Sequence, residues 1–140
     1  MSLHDAETYL TNKGWQYSEG SEAGEGKMGT AKFVFGSSGD FSFAESFLSI
    51  VHQYGSVKRI SVQMNKLAKY TEYLNGVKKF APSPINTKIV DGDLLKIYVG
   101  ATTTFEFATT TTNTLDGNTK TTWLLFIAEN DDYETQFGYY

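Results

Sequence analysis

His4 and His52 are the only side chains in this sequence whose ordinary pKa suits general acid–base work near neutral pH. A Ser/His/Asp arrangement would need His52, a nucleophile such as Ser46 or Ser49, and a carboxylate. No G-x-S-x-G turn is present to pose either serine. His4 falls in the first turn of a terminal helix. His52 falls near the end of an expected helix, where a partly cationic imidazole suits the negative dipole end. His52 is therefore the one catalytic candidate, and capping is its plainer use.

Carboxylates are the next source of chemistry. Asp91-Gly92-Asp93 suits a turn, because Asp and Gly fit turn geometry, and it lacks the spaced oxygens and closing Glu of an EF-hand loop. Glu129-Asn130-Asp131-Asp132 with Glu134 holds enough oxygens for a cation, so Asp131, Asp132 and Glu134 are the metal candidates. A solvated acidic turn after the last strand explains the same run with fewer demands. The chain has no cysteine, which excludes thiol catalysis, thiolate-held zinc or iron–sulfur, and disulfides. Neither G-x-x-x-x-G-K-[ST] nor G-x-G-x-x-G occurs, and acids interrupt the glycines of residues 20–29. No cofactor and no metal is expected.

Charge distribution says more than any motif. Residues 1–57 carry three basic and seven acidic side chains, net −4, and residues 89–140 carry two and eight, net −6. Between them Lys58, Arg59, Lys66, Lys69, Lys78, Lys79 and Lys88 stand against Glu72 alone, net +6. The binding candidates are Lys58, Arg59, Lys66, Lys69, Tyr73, Lys78 and Lys79. Cations interleaved with aromatics can track a nucleic-acid backbone and stack bases. The overall charge of −4 disfavours that use, and Tyr70 fits an apolar stripe. An acidic protein partner, or self-association of the basic face with an acidic one as in a homodimer, fits the pattern better.

These residues must be positioned by a chain of 140 residues, long enough to bury a core without a metal or disulfide staple. Aromatics make up 15%, ample core material. No apolar run approaches the ~20 residues of a bilayer span. No membrane partner is expected, and the location expected is the cytoplasm, or outside the cell if a leader preceded Met1-Ser2-Leu3.

Three helices are predicted from their ends. Ser2 and Asp5 cap the first, and Gly14 stops it. Ser42 and Glu45 read as a capping box for a helix over 43–54, with Phe43, Phe47, Ile50 and Tyr54 at helical spacing and Gly55 as its stop. The third starts after Asn65 as N-cap, repeats Leu67, Tyr70, Leu74 and Val77, and ends at Asn75-Gly76 or frays toward Phe80. Alternation predicts strands over 57–64, 94–99 and 103–112; residues 123–128, apolar on both faces, read as a central strand, and shorter strands fall at 15–18, 32–35 and 88–90. Asp116-Gly117 joins the last two as a hairpin. The Tyr-Leu…Asn pattern shared by residues 8–15 and 72–80 reads as two similar helix ends rather than a repeat.

The expected fold is α+β: a largely antiparallel or mixed curved sheet of about five to seven strands with two or three helices on one face. Residues 1–140 form one domain with a flexible Gly/Glu loop at 19–29. The expected function is a non-enzymatic binding or protein-interaction module, using the basic segment 58–79 and the Thr/aromatic ribbon of 102–126. The alternative is a small hydrolase or isomerase with a pocket between helix 43–54 and the sheet, and the third reading is nucleic-acid contact through 58–79.

Overall fold

A computed structural model describes residues 1–37 and 44–137. The chain forms two compact units, Met1–Val62 and Gln63–Tyr140. The α+β class holds, with three helices and eight strands among the described residues rather than five to seven strands.

The first unit opens with α1 (Leu3–Asn12), which starts as predicted: Ser2 Oγ accepts the Asp5 N–H at 3.1 Å. Gly14 adopts φ 93°, and the Trp15 N–H returns to the Leu10 carbonyl at 3.0 Å, closing the helix end. Ala6 and Leu10 are its buried residues. Four strands follow, each beside the next: β1 (Gln16–Ser21), β2 (Gly29–Phe35), β3 (Ser46–Gln53) and β4 (Ser56–Met64). Residues 19–21 and 29 of the expected loop belong to β1 and β2.

β3 overturns the helix predicted over 43–54. Within it Ser46, Leu48, Ile50 and His52 are buried and alternate with half-buried Phe47, Ser49, Val51 and Gln53. That period of two coexists with the helical spacing of the same aromatic and aliphatic residues. Seven residues of β3 pair with β2, from Ser46↔Phe35 to His52↔Gly29. Phe47, Ile50 and Val51 favour a pleated, half-buried surface. Of the capping box, Ser42 lies outside the described residues, as does Phe43. The Glu45 N–H donates to the Phe35 carbonyl at 2.9 Å, a bond between strands. Tyr54 and Gly55, at φ 54° and 73°, form a two-residue turn with the positive φ values that hairpins prefer.

The second unit repeats this order of elements: α2 (Leu67–Lys78), then β5 (Asn86–Val90), β6 (Asp93–Val99), β7 (Thr103–Asn113) and β8 (Thr119–Glu129), again each beside the next. β5–β6, β6–β7 and β7–β8 all pair antiparallel. The similar helix ends noticed in the sequence therefore sit at the same step of two like-ordered units. α2 begins one residue later than expected, with Lys66 rather than Asn65 as N-cap, and runs through Gly76 to Lys78. A helix missed in the sequence, α3 (Asn130–Phe137), ends the described chain.

The helices of this unit do not share one face. Tyr70 of α2 packs edge-on against Phe107, with ring centroids 5.6 Å apart, and stacks on Trp123 at 5.9 Å. Tyr133 of α3 donates its hydroxyl to Glu106 Oε1 at 2.7 Å. Glu106 and Phe107 are consecutive on β7, so they point to opposite faces. α2 covers one side of the strands and α3 the other. Under α3 lies a cluster of Ile97, Ala128 and Tyr133, with Val99 and Phe126 against it.

Candidate interaction surface

The predicted binding residues divide between the units. Lys58 and Arg59 are consecutive on β4 and so point to opposite faces; Lys58 is exposed and Arg59 half-buried. Lys66, Lys69, Tyr73, Lys78 and Lys79 belong to α2 and its caps. A twelve-residue helix is about 18 Å long, so the lysines form a pair at each end. Lys69 Nζ lies 3.4 Å from Glu72 Oε2, the one acid of the helix. Tyr73 is half-buried, while Lys66, Lys78 and Lys79 are exposed.

The two ends differ in what the helix itself asks of them. At the C-terminal end Lys78 and Lys79 complement the negative dipole. At the N-terminal end Lys66 and Lys69 oppose the positive one. Lys66 also occupies a position where Ser, Thr, Asp or Asn would accept an orphan N–H, which an ammonium cannot do. Together these choices cost α2 about 1–2 kcal/mol of helix stability. The Lys69–Glu72 pair offsets part of that cost.

Beneath α2 the contacts are aromatic with two polar handles. Burial raises the hydroxyl pKa of Tyr70, and the neighbouring Tyr98 raises it further, against a hydrogen bond from Thr109 that lowers it. Burial also raises Tyr98. Both stay protonated over the physiological range, and serve packing and hydrogen bonding.

The structure does not bring His52 together with Ser46 or Ser49. His52 stands on β3, 7% exposed, where its partner across the strands is Gly29. A Cβ on Gly29 would fall 2.5 Å from His52 Cε1, so the glycine makes room for the ring. Ser49, three residues back, faces the other side of the strand. Ser46 shares the face but lies six residues away, roughly 20 Å along a strand. With a strand at 46–53, the pocket imagined between helix 43–54 and the sheet loses its wall. His4 is exposed on α1.

Asp131, Asp132 and Glu134 stand in the first turns of α3, where acids complement the dipole. Asp132 Oδ2 accepts from Gln136 Nε2 at 3.1 Å. No group of three or more His, Asp or Glu side chains among the described residues is arranged to hold a metal ion. No helix among them is long and apolar enough to cross a membrane.

The Thr/aromatic ribbon has two parts. β6 pairs with β7 only from Thr104 to Thr109, whereas β7 and β8 continue pairing to Asn113↔Thr119. At the apex Asp116 accepts from Thr114 Oγ1 and, at 3.1 Å each, from the Asn118 backbone and side-chain amides. The Thr114 and Asn118 bonds hold its carboxyl below the usual range. Sequence reasoning missed the exposed apolar side chains Ile85, Ile89, Val90 and Leu94 around β5. Their exposure depends on strand order, which no local pattern carries.

Compared with protein-family models, with curated proteins and with solved structures, the chain matches none.

Proposed function

We propose that this chain is a non-enzymatic protein-interaction module that takes an acidic segment of a partner protein on the basic face of α2. The observation that carries this reading is the pair Lys66 and Lys69 at the helix N-terminus. The helix dipole and the capping position both disfavour them there, while Tyr70, the next residue, is committed to Phe107 and Trp123. An acidic segment would complement the positive charge at this end of the helix. The location of His52 away from Ser46 and Ser49 supports a binding role over hydrolysis or isomerisation.

The test uses a fluorescein-labelled glutamate-rich peptide and, beside it, a single-stranded oligonucleotide of equal length, followed by fluorescence anisotropy across a salt series. Peptide binding that weakens with salt is expected. In Lys66→Glu with Lys69→Glu it should fall by about tenfold or more, with a flatter salt dependence. Equal peptide binding by the variant would make α2 an ordinary solvated face. Tighter binding of the oligonucleotide would replace this reading with the nucleic-acid one.

A further inference from the structure

Among the described residues, β1 has β2 as its single neighbouring strand, and β5 has β6. Such an edge presents a row of unpaired N–H and C=O groups, a ready template for another strand. β1 is blunted. Its register with β2 slips between Tyr17 and Glu19, and its exposed residues are polar apart from Tyr17 and Gly20. β5 carries no such irregularity along its register, from Asn86↔Ile97 to Val90↔Asp93. It also sits among exposed apolar side chains: Ile85 is 54% exposed, Ile89 74%, Val90 42% and Leu94 of β6 37%.

We infer that β5 is the docking edge for a second copy of this chain, paired antiparallel about a two-fold axis that sets Ile89 opposite Ile89 of the second copy. This surface is separate from the basic face of α2 and stands or falls independently of it. β5 and β6 close on the two-residue turn Asp91-Gly92, at φ 52° and 87°. In such a hairpin Val90 and Asp93 exchange hydrogen bonds. The alternation along the ladder then turns the backbone groups of Thr87 and Ile89 outward.

Charge selects among the two-fold registers open to those groups. Setting Thr87 opposite Ile89 would place Lys88 against Lys88, like charges face to face. Setting Thr87 opposite itself would pair Ile89 with Ile85, whose N–H is already given to the Ile97 carbonyl at 2.9 Å. Setting Ile89 opposite itself avoids both. It places Lys88 opposite Val90 of the second copy, with Asp93 of that copy next in the same row, because Val90 pairs with Asp93. On the other face Lys96, the partner of Thr87, looks across Thr87 to Asp91 of the second copy. Ile89 pairs with Leu94, Leu94 with Thr109 and Thr109 with Trp123. The two-fold axis would therefore join two such rows at the exposed isoleucines and remove them from water.

Sedimentation equilibrium and engineered cross-links test this. The wild-type chain should form a concentration-dependent dimer. Ile89→Lys should be monomeric with an unchanged far-UV spectrum, since Ile89 is a surface residue. The chain lacks cysteine, so single cysteines report the register. Ile89→Cys should give a disulfide-linked dimer with oxidised glutathione as oxidant, because directly opposite residues lie within disulfide reach. Thr87→Cys, facing Asp91, should not. A wild-type chain that stays monomeric, an Ile89→Lys chain that dimerises as before, or Thr87→Cys cross-linking faster than Ile89→Cys would each overturn the proposal.

Discussion

The two units share an order of elements and differ in how they treat buried polar groups. Each is a helix followed by four strands lying side by side in chain order. α1 begins at Leu3 and α2 at Leu67, while β2 begins at Gly29 and β6 at Asp93, so both steps are 64 residues apart. In the first unit the third strand opens on Ser46, whose Oγ is buried with no hydrogen-bond partner among the described residues. In the second it opens on Thr103 and Thr104. The buried Thr104 donates its hydroxyl to Asn130 Oδ1 at 2.8 Å. Asn130 in turn donates to the Gly100 and Ala101 carbonyls at 3.2 and 3.3 Å. α3, which follows the four strands of the second unit, is what satisfies these groups. The lesson is that polar residues on the covered side of the second unit are structural because a third helix was placed to meet them.

The largest test of this contrast is Tyr133→Ala. Tyr133 is buried among Phe126 and Phe137, with ring centroids at 6.3 and 4.8 Å, and its hydroxyl serves Glu106. Removing the ring should cost about 3–5 kcal/mol, read as a lower urea midpoint. Each unit has one tryptophan, Trp15 and Trp123. Fluorescence of Trp15→Phe and Trp123→Phe backgrounds therefore reports the units separately. The Trp123 transition should move. If it does not, α3 contributes little to the second unit. A Trp15 transition that moves with it would mean the units unfold as one.

A smaller pair of substitutions sets the two third strands directly against each other. Thr104→Val keeps the shape and leaves Asn130 Oδ1 without its donor, so it should destabilise by about 1–3 kcal/mol. Ser46→Ala removes a hydroxyl that is already unsatisfied, and should be neutral or stabilising by up to about 1 kcal/mol. Denaturant midpoints moving in the same direction for both would erase the distinction between the units.

How much of this was legible in the sequence depends on whether the signal was local. The first helix was, because Ser2, Asp5 and Gly14 act within one turn of themselves. The hairpin at Asp91-Gly92 was legible for the same reason. Residues 46–53 were not, because Phe47, Ile50 and Tyr54 satisfy a helical period while Ser46, Leu48, Ile50 and His52 satisfy a period of two. In a short apolar run periodicity alone cannot arbitrate. The β-branched Ile50 and Val51 ahead of a Tyr-Gly turn were the signal that could have decided it. α3 was hidden because its core contacts rest on Tyr133 and Phe137, only two positions in an acidic segment. Of the candidate site, the lysines of α2 were readable as a charge run. Their conflict with the helix N-terminus emerged only once Lys66 proved to be the N-cap. The division of Lys58 and Arg59 from them followed strand direction, and the bare edge at β5 followed strand order. Both are non-local properties.

The smallest expected effect concerns pH, and it separates the side of the second unit under α2 from the side under α3. Tyr70 and Tyr98 have hydroxyl pKa values raised by burial. A group whose folded pKa lies above its unfolded one contributes stability that is complete below the unfolded value. For tyrosine that value is about 10. The contribution is lost as pH rises through the folded value. The second unit should therefore lose stability above about pH 10, with part of the tyrosine absorbance titrating later than that of exposed tyrosines. Tyr70→Phe should remove part of the late titration and lessen the alkaline loss. It should leave the Tyr133 contact with Glu106 intact, because that contact lies on the opposite face. An absorbance titration in which Tyr70→Phe matches wild type would show that the hydroxyl over Thr109 is solvated, and that α2 rests on the sheet more loosely than α3 does.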